Sequence, residues 1–310
     1  MTSKLQAEQT ERAREILRKV RQIEVRTRHL VDDMLAGKYH SVFKGRGMDF
    51  DAVRPYSVGD DIRSIDWNVT ARTGHPFVKR FREERELTIM LAIDISGSGE
   101  FGSAGPSKRE YAAEVGAILA FSAIKNNDKV GLVLFTDEVE LYIPPKKGRR
   151  HILRLVREIL FFEPERRGTD FVAPLDFLNN VLVKRSVTFL ISDFCLVGDF
   201  RNSLEELKPK LRASKRRQDL IAVWIQDPRD SELPDIGLLT LEDAESGEQV
   251  EVDTTDSSVR SAFSKLASEQ NEELRHALRR TGTDIMELST TRPCLGELME
   301  FFRRRERRKK

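Results

Sequence analysis

The sequence predicts an α/β protein: a doubly wound, mostly parallel sheet with helices on both faces, joined to a smaller N-terminal segment of helical and β character. Apolar runs typical of buried strands alternate with helical periodicity after residue 86, which favours parallel βαβ units. The composition, 39% hydrophobic and 34% charged, is typical of a soluble globular chain. A length of 310 residues is enough for two structural units or for one large unit with additions.

The N-terminal segment, residues 1–85, divides into two parts. Apolar residues recur at helical spacing over residues 5–35 and predict one long amphipathic helix that ends near Gly37. Glycines and prolines then interrupt residues 38–85, which predicts turns and short strands.

Residues 86–302 are expected to form the α/β domain. Nearly continuous apolar runs predict strands covered on both faces, with a short companion strand at 139–143. The predicted parallel strands are residues 87–93, 130–135, 187–192, 220–225 and 285–288. The predicted helices are residues 108–125, 149–161, 171–183, 203–212, 259–278 and 295–302. Residues 237–253 are expected to be an inserted β-hairpin with a glycine-containing turn.

The formal net charge of +2 conceals a basic tail. Residues 303–310 carry seven basic residues and one acidic residue, so the rest of the chain carries −4 and is not a basic nucleic-acid-binding surface. The tail is interpreted as a solvated end, with contact to anionic lipid or nucleic acid as the alternative. The chain has neither a bilayer-spanning apolar run nor a signal-peptide core in its first 30 residues, which predicts a cytoplasmic protein.

Polar side chains follow two of the predicted parallel strands and precede one helix. A DxSxS segment follows the first strand, and an aspartate follows the strand at 187–192, which is the fourth when the companion strand at 139–143 is counted. A threonine precedes the helix at 171–183, which lies between these two strands in the sequence. If the strand order is 3-2-1-4-5, the two strand ends are neighbours at the topological switch point, where α/β sheets bind ligands. Carboxylate and hydroxyl oxygens are ligands that Mg²⁺ prefers. The candidate metal ligands are Asp94, Ser96, Ser98, Thr169 and Asp193.

This series of residues resembles the metal-ion-dependent adhesion site of von Willebrand factor A domains. The resemblance implies that Ser96, Ser98 and Thr169 contact the metal directly, and that Asp94 and Asp193 hold it directly or through water. It also implies that the carboxylate of a protein partner completes the metal's ligand shell. Mg²⁺ is the expected ion, with Mn²⁺ and Ca²⁺ as alternatives. A hydrogen-bonded polar cluster that caps the strand ends without metal is the competing interpretation.

A second segment, which runs from Arg54 to Trp67 as RPYSVGDDIRSIDW, resembles the signature of the bacterial family called domain of unknown function 58. Members pair this signature with an A-type domain, so the resemblance covers nearly the whole chain. It implies a MoxR-type AAA+ ATPase, or a client of that ATPase, as partner in chaperone-like or complex-assembly work. The charged residues of the segment are expected to form an ion-pair network, with direct partner binding as the alternative.

These patterns together predict a non-enzymatic, metal-dependent protein-interaction module without a small-molecule substrate. The chain has no GxxxxGK[ST] segment, so it is not expected to hydrolyse ATP. The enzymatic alternative is a metal-dependent hydrolase or phosphotransferase that uses Asp94 and Asp193. Ser96 stands where aspartate-nucleophile phosphatases have a second aspartate, which argues against that alternative. An adaptor that binds a membrane or nucleic acid through the basic tail is a further alternative.

Overall fold

The computed structural model of the chain describes residues 18–27, 49–82, 86–103, 105–196, 198–245 and 247–309. Contacts divide the chain into a smaller unit, Phe43–Leu87, and a larger unit that combines Met1–Val42 with Thr88–Lys310. Residues 18–27 are helical. The rest of the long helix expected over residues 5–35 lies outside the described residues.

The smaller unit contains two antiparallel strands, β1 (Asp49–Pro55) and β2 (Phe77–Arg82), in which Pro55 pairs with Phe77. The segment between the strands forms a 3-10 turn (Ile62–Ser64) and a short helix, α1 (Trp67–Thr73). Strands and turns were expected here, and α1 was not.

Charged residues of the signature segment stabilise local turns in the smaller unit. The guanidinium of Arg54 forms a bidentate pair with the Asp60 carboxylate, at 2.7 and 2.6 Å. Asp61 accepts a hydrogen bond from the backbone of Arg63 at 2.9 Å, and Asp66 caps α1 by accepting from the Asn68 amide at 3.0 Å. In place of the expected network, the segment has the Arg54–Asp60 pair, two helix caps and an ion pair of 3.9 Å between Asp66 and Lys79 of β2.

The larger unit contains a six-stranded sheet. Its strands are β3 (Thr88–Asp94), β4 (Lys129–Phe135), β5 (Val139–Lys146), β6 (Val187–Ser192), β7 (Asp219–Gln226) and β10 (Asp284–Ser289). They are ordered β10-β7-β6-β3-β4-β5, and all neighbours are parallel except β4 and β5. Strands β3 and β6 are adjacent, with Ile93 opposite Ile191, which confirms the predicted switch point. Strands β8 (Leu238–Glu242) and β9 (Gln249–Asp253) form the expected separate hairpin.

Helices cover both faces of this sheet. They are α2 (Lys108–Lys125), α3 (Arg149–Phe161), α4 (Val172–Val181), α5 (Phe200–Arg217), α6 (Ser257–Arg280) and α7 (Cys294–Lys309). On one face Gly116 of α2 lies so close to Ile93 that an added Cβ would be 3.6 Å from its terminal methyl. On the other face Met90 and Ala92 share a buried cluster with Leu175 of α4 and Leu207 of α5. Among the described helices, none has both the length and the apolar character needed to cross a membrane.

The basic tail is helical rather than an irregular solvated end, because α7 continues to Lys309. Arg305 is buried, hydrogen-bonds both carboxylate oxygens of Asp219 and lies 3.5 Å from Asp284. Burial alone would raise the pKa of Asp219, but the nearby Arg305 and Lys215 outweigh burial and lower it. The expectation of a solvated end was therefore wrong for Arg305, since it did not include the half-buried carboxylates of Asp219 and Asp284.

Replacing Arg305 by Met is expected to lower the free energy of unfolding by about 2 kcal/mol, because it removes charged hydrogen bonds to the half-buried Asp219, although Lys215 stays beside that carboxylate. The pKa of Asp219 is lower in the folded protein than its value of 3.8 in the unfolded chain. The stability gained from the pair of Asp219 with Arg305 is therefore fully present above pH 3.8, and it is lost as the pH falls through the pKa of Asp219 in the folded protein. Urea unfolding at pH 7 and at pH 3 measures both effects. Arg304→Met is the control, since Arg304 is 63% exposed and its removal should change stability by less than about 0.5 kcal/mol. If Arg305→Met and Arg304→Met lowered the free energy of unfolding equally, the stabilising role given to Arg305 would be wrong.

Candidate functional site

The DxSxS turn is fixed by the carboxylate of Asp94, which lies at the end of β3 and is 8% exposed. Its Oδ1 accepts a hydrogen bond from the Ser96 amide at 2.9 Å, and its Oδ2 accepts one from the Ser192 hydroxyl at 2.7 Å. Ser192 ends the neighbouring strand β6, so the carboxylate joins the two strand ends. The hydroxyl oxygens of Ser96 and Ser98 lie 3.1 Å apart. Three of the predicted ligands thus form one hydrogen-bonded group.

Asp193 is positioned by a strained residue that follows it. Phe194 has a φ of 53°, in the left-handed region that a bulky residue rarely adopts. Its buried ring stacks on Phe171 at a centroid distance of 5.1 Å and contacts Trp224 edge-on at 6.4 Å. This aromatic packing holds the backbone that carries Asp193 beside the end of β6.

Lys108, the first residue of α2, contributes a buried positive charge that the sequence reasoning missed. Its ammonium nitrogen lies 2.8 Å from Asp193 Oδ2 and 2.7 Å from Asp230 Oδ1. The side chains of Lys108 and Asp193 are only 7% and 5% exposed. Burial alone would lower the pKa of Lys108, but the charges of Asp193 and Asp230 outweigh burial and raise the pKa above 10.5. Lys108 is therefore a permanent cation in this site.

A small cavity lies between these groups. It has a volume of about 10 Å³, and its lining includes Asp94, Ser98, Lys108 and Asp193. A cavity of this size accommodates about one water molecule or one small cation. Burial, followed by the negative charge of Asp193, raises the pKa of Asp94 to about 7, although hydrogen bonds from Ser192 and Ser96 oppose the rise. A cation in the cavity would favour the ionised carboxylate, so the donor set fits a small divalent ion.

The remaining predicted ligand, Thr169, is bonded to the inserted hairpin. Its hydroxyl donates to Glu245 Oε1 at 2.7 Å, and Glu245 belongs to the turn between β8 and β9. Burial is the largest influence on the pKa of Glu245 and raises it, the hydrogen bond from Thr169 opposes the rise, and the charge of Asp243 adds to it. The Thr169 loop is tied to the DxSxS turn, because the Gly97 amide donates to the Arg167 carbonyl at 3.0 Å.

The five predicted ligands are thus brought to one edge of the sheet, in two groups. Asp94, Ser98 and Asp193 line the cavity with Ser96 beside them, whereas Thr169 is engaged by Glu245. Within the described ranges, no three His, Cys, Asp or Glu side chains are grouped so that they could hold a metal ion by themselves. A metal held here would therefore depend on hydroxyl oxygens as well as on carboxylates.

The contacts of Asp94 and Lys108 bear on the enzymatic alternative. Each carboxylate oxygen of Asp94 accepts one hydrogen bond from the protein, which fixes the orientation of the carboxylate and leaves each oxygen a further lone pair. Lys108 is held in its protonated form between two carboxylates, so it lacks the lone pair that a general base needs. Lys108 therefore does not supply the general base that a hydrolase or phosphotransferase would need.

Comparison with known proteins identifies relatives that span most of the chain. The family model described as "Protein of unknown function DUF58" matches residues 52–273. An uncharacterised protein of Mycobacterium tuberculosis is 31% identical over 290 residues, which cover 93% of this chain and 89% of that protein. An uncharacterised protein of Mycobacterium avium is 30% identical over 167 residues, or 53% of this chain and 94% of that protein.

Solved structures with similar folds share little sequence with the chain. The protein BatB from Bacteroides thetaiotaomicron is 14% identical with a TM-score of 0.45, covering 71% of this chain and 99% of that chain. The SpRpn10 VWA domain is 15% identical with a TM-score of 0.37, covering 69% of this chain and 94% of that chain. The strand order, with the DxSxS segment at the end of β3, gives the larger unit its von Willebrand factor A-like fold.

Proposed function

The chain belongs to the DUF58 family, and on that premise we propose that it is a protein-interaction module whose docking group is a bound divalent cation. Mg²⁺ is the proposed ion, with Mn²⁺ and Ca²⁺ as substitutes. Asp94, Ser96, Ser98, Thr169 and Asp193 are the proposed ligands. When bound, the cation supplies a positive charge that accepts the carboxylate of a partner protein. The module itself is proposed to carry out no catalysis.

The observation that carries this proposal is the meeting of two strand ends around one small cavity. Asp94 and Asp193 come from adjacent strands β3 and β6, and Ser98 lines the same cavity of about 10 Å³. Carboxylate and hydroxyl oxygens are hard ligands, and they suit Mg²⁺ better than a soft metal. A docking site that depends on one ion gives specificity for an acidic side chain, because that side chain supplies the missing negative ligand.

Metal binding at this site has to compete with Lys108. Its ammonium neutralises Asp193 in the metal-free protein, so an entering cation competes with it for the same carboxylate. Asp230 offers Lys108 a second carboxylate at 2.7 Å, so Lys108 keeps an anionic neighbour when Asp193 turns to the cation. The site therefore remains electrically compensated with and without metal.

A calorimetric titration of Mg²⁺ tests the proposal. The wild type is expected to give a saturable binding heat, and Asp94→Ala is expected to give none, because it removes the carboxylate that joins both strand ends. Glu205→Gln is the control, since Glu205 is 72% exposed on α5, and it should bind like the wild type. Equal heats in wild type and Asp94→Ala would rule out this metal site.

We infer that a MoxR-type AAA+ ATPase, or one of its clients, supplies the acidic side chain, and this part of the proposal is supported by the family resemblance alone. The purified ATPase is expected to bind the chain in Mg²⁺ and to dissociate in EDTA. Binding that is unchanged by EDTA or by Asp94→Ala would mean that the two proteins meet through another surface.

A further inference from the structure

The turn of the inserted hairpin lies directly on the candidate metal site. The carbonyl oxygen of Ala244 is so close to Gly97 of the DxSxS turn that a Cβ on Gly97 would lie 2.2 Å from it. The next residue, Glu245, reaches the Thr169 hydroxyl at 2.7 Å. One turn of the hairpin therefore contacts two of the loops that carry the proposed ligands.

Glu245 is not accounted for by packing or by a fully satisfied hydrogen-bond network. Its Oε1 accepts from Thr169, but its Oε2 is buried without a hydrogen-bond partner in the described part of the chain. The same oxygen would lie 3.8 Å from a Cβ on Gly168, next to Thr169. Buried carboxylate oxygens normally have donors or a cation beside them, so this orphan oxygen requires an explanation.

We propose that Glu245 is an internal ligand of the metal site, which occupies the position that a partner's carboxylate takes and so holds the module in a self-occupied, closed form. This inference rests on the proposed function of the site. A carboxylate bonded to one of the proposed ligands, with its second oxygen free, is the chemistry that the proposed partner would bring. The partner must then displace Glu245 in order to bind.

The hairpin can move as a unit relative to the main sheet. Strands β8 and β9 pair only with each other among the described strands, in a sheet separate from the main sheet. Leu238 and Val250 of the hairpin are 69% and 59% exposed, so little apolar contact holds its strands. The turn is closed by its own bonds, from the Gly247 amide to the Asp243 carbonyl at 2.8 Å and from the Glu245 amide to Asp243 Oδ1 at 2.8 Å. Lifting the turn therefore breaks no hydrogen bond of the main sheet.

Water proton relaxation of the Mn²⁺-loaded full-length chain tests the inference, with acetate as the carboxylate probe. In Glu245→Gln, water should replace the internal ligand, so the relaxivity per bound Mn²⁺ should rise. Acetate should then lower the relaxivity again, with an apparent dissociation constant roughly tenfold or more below that of the wild type, because the binding-competent form no longer competes with a closed form. Glu251→Gln, an exposed change on β9 of the same hairpin, should behave like the wild type.

A second variant tests the same idea by removing the whole hairpin turn, Glu245 included, so that no glutamine side chain is left in its place. Replacing residues 243–248 by Asn-Gly should give a tight hairpin turn, because Glu242 and Gln249 are paired opposite each other. This variant should match Glu245→Gln in relaxivity and acetate binding. If Mn²⁺ binds in an Asp94-dependent way but both variants behave like the wild type, the internal-ligand inference is wrong and the proposed function survives. If Mn²⁺ does not bind the wild type, both are wrong.

Discussion

Replacing Asp94 by Asn is expected to remove Mg²⁺ binding and, in the same protein, to stabilise the metal-free fold. Binding is lost while stability is gained, because Asp94 is a buried carboxylate that has no cation of its own when metal is absent. Asn has the same shape and retains an oxygen for the Ser96 amide, so the DxSxS turn should be preserved. At pH 8 in EDTA the free energy of unfolding should rise by on the order of 2 kcal/mol.

The pH dependence of this stabilisation follows from the raised pKa. Asp94 titrates at about 7 in the folded protein and at 3.8 in the unfolded chain, so between these values the folded state holds the extra proton. The stability of the metal-free wild type should therefore decrease as the pH rises from about 4 to about 7, and Asp94→Asn should lack that decrease. Urea unfolding in EDTA at pH 5 and pH 8 measures the difference. A variant that is less stable than the wild type at pH 8 would show that Asp94 is stabilised by other protein charges.

Replacing Lys108 by Met is expected to have the largest destabilising effect in the metal-free protein, about 3 kcal/mol. The change removes the cation from between Asp193 and Asp230, of which Asp193 is only 5% exposed. Because Mg²⁺ then replaces the missing positive charge, the variant should bind Mg²⁺ roughly tenfold more tightly than the wild type, and saturating Mg²⁺ should restore much of its stability.

Urea unfolding in EDTA and in Mg²⁺, together with calorimetry, measures both effects of Lys108→Met. Lys265→Met is the control, since Lys265 is 78% exposed in a surface pair, and it should change stability by less than about 0.5 kcal/mol in either buffer. A Lys108 variant that loses stability to the same extent with and without Mg²⁺ would indicate a purely structural ion pair.

The main sheet could be predicted from the sequence because its central strands, such as β3 and β6, are buried on both faces. Runs such as residues 187–192 have no polar alternation, and the structure buries every residue of β6. The adjacency of β3 and β6 followed from the strand order of the fold class, and it brought the predicted carboxylates together. The short helix α1 was missed because it has seven residues, too few for periodicity to be visible.

The charged partners of the site could not be predicted in the same way, since they come from distant segments. Asp193 and Lys108 are 85 positions apart, and Thr169 and Glu245 are 76 positions apart. One local signal was present: a lysine in the first turn of a helix opposes the helix dipole, so Lys108 needed a nearby acidic partner. Glu245 gave no such signal, because a glutamate in a hairpin turn is ordinarily solvated.

The most direct test of the metal site is the anomalous diffraction of crystals grown in Mn²⁺. The proposed function predicts one anomalous difference peak bounded by the side-chain oxygens of Ser96, Ser98 and Thr169, with Asp94 and Asp193 beside it. Ordered density for these side chains without a peak, and with Lys108 still between Asp193 and Asp230, would contradict a metal-dependent docking site.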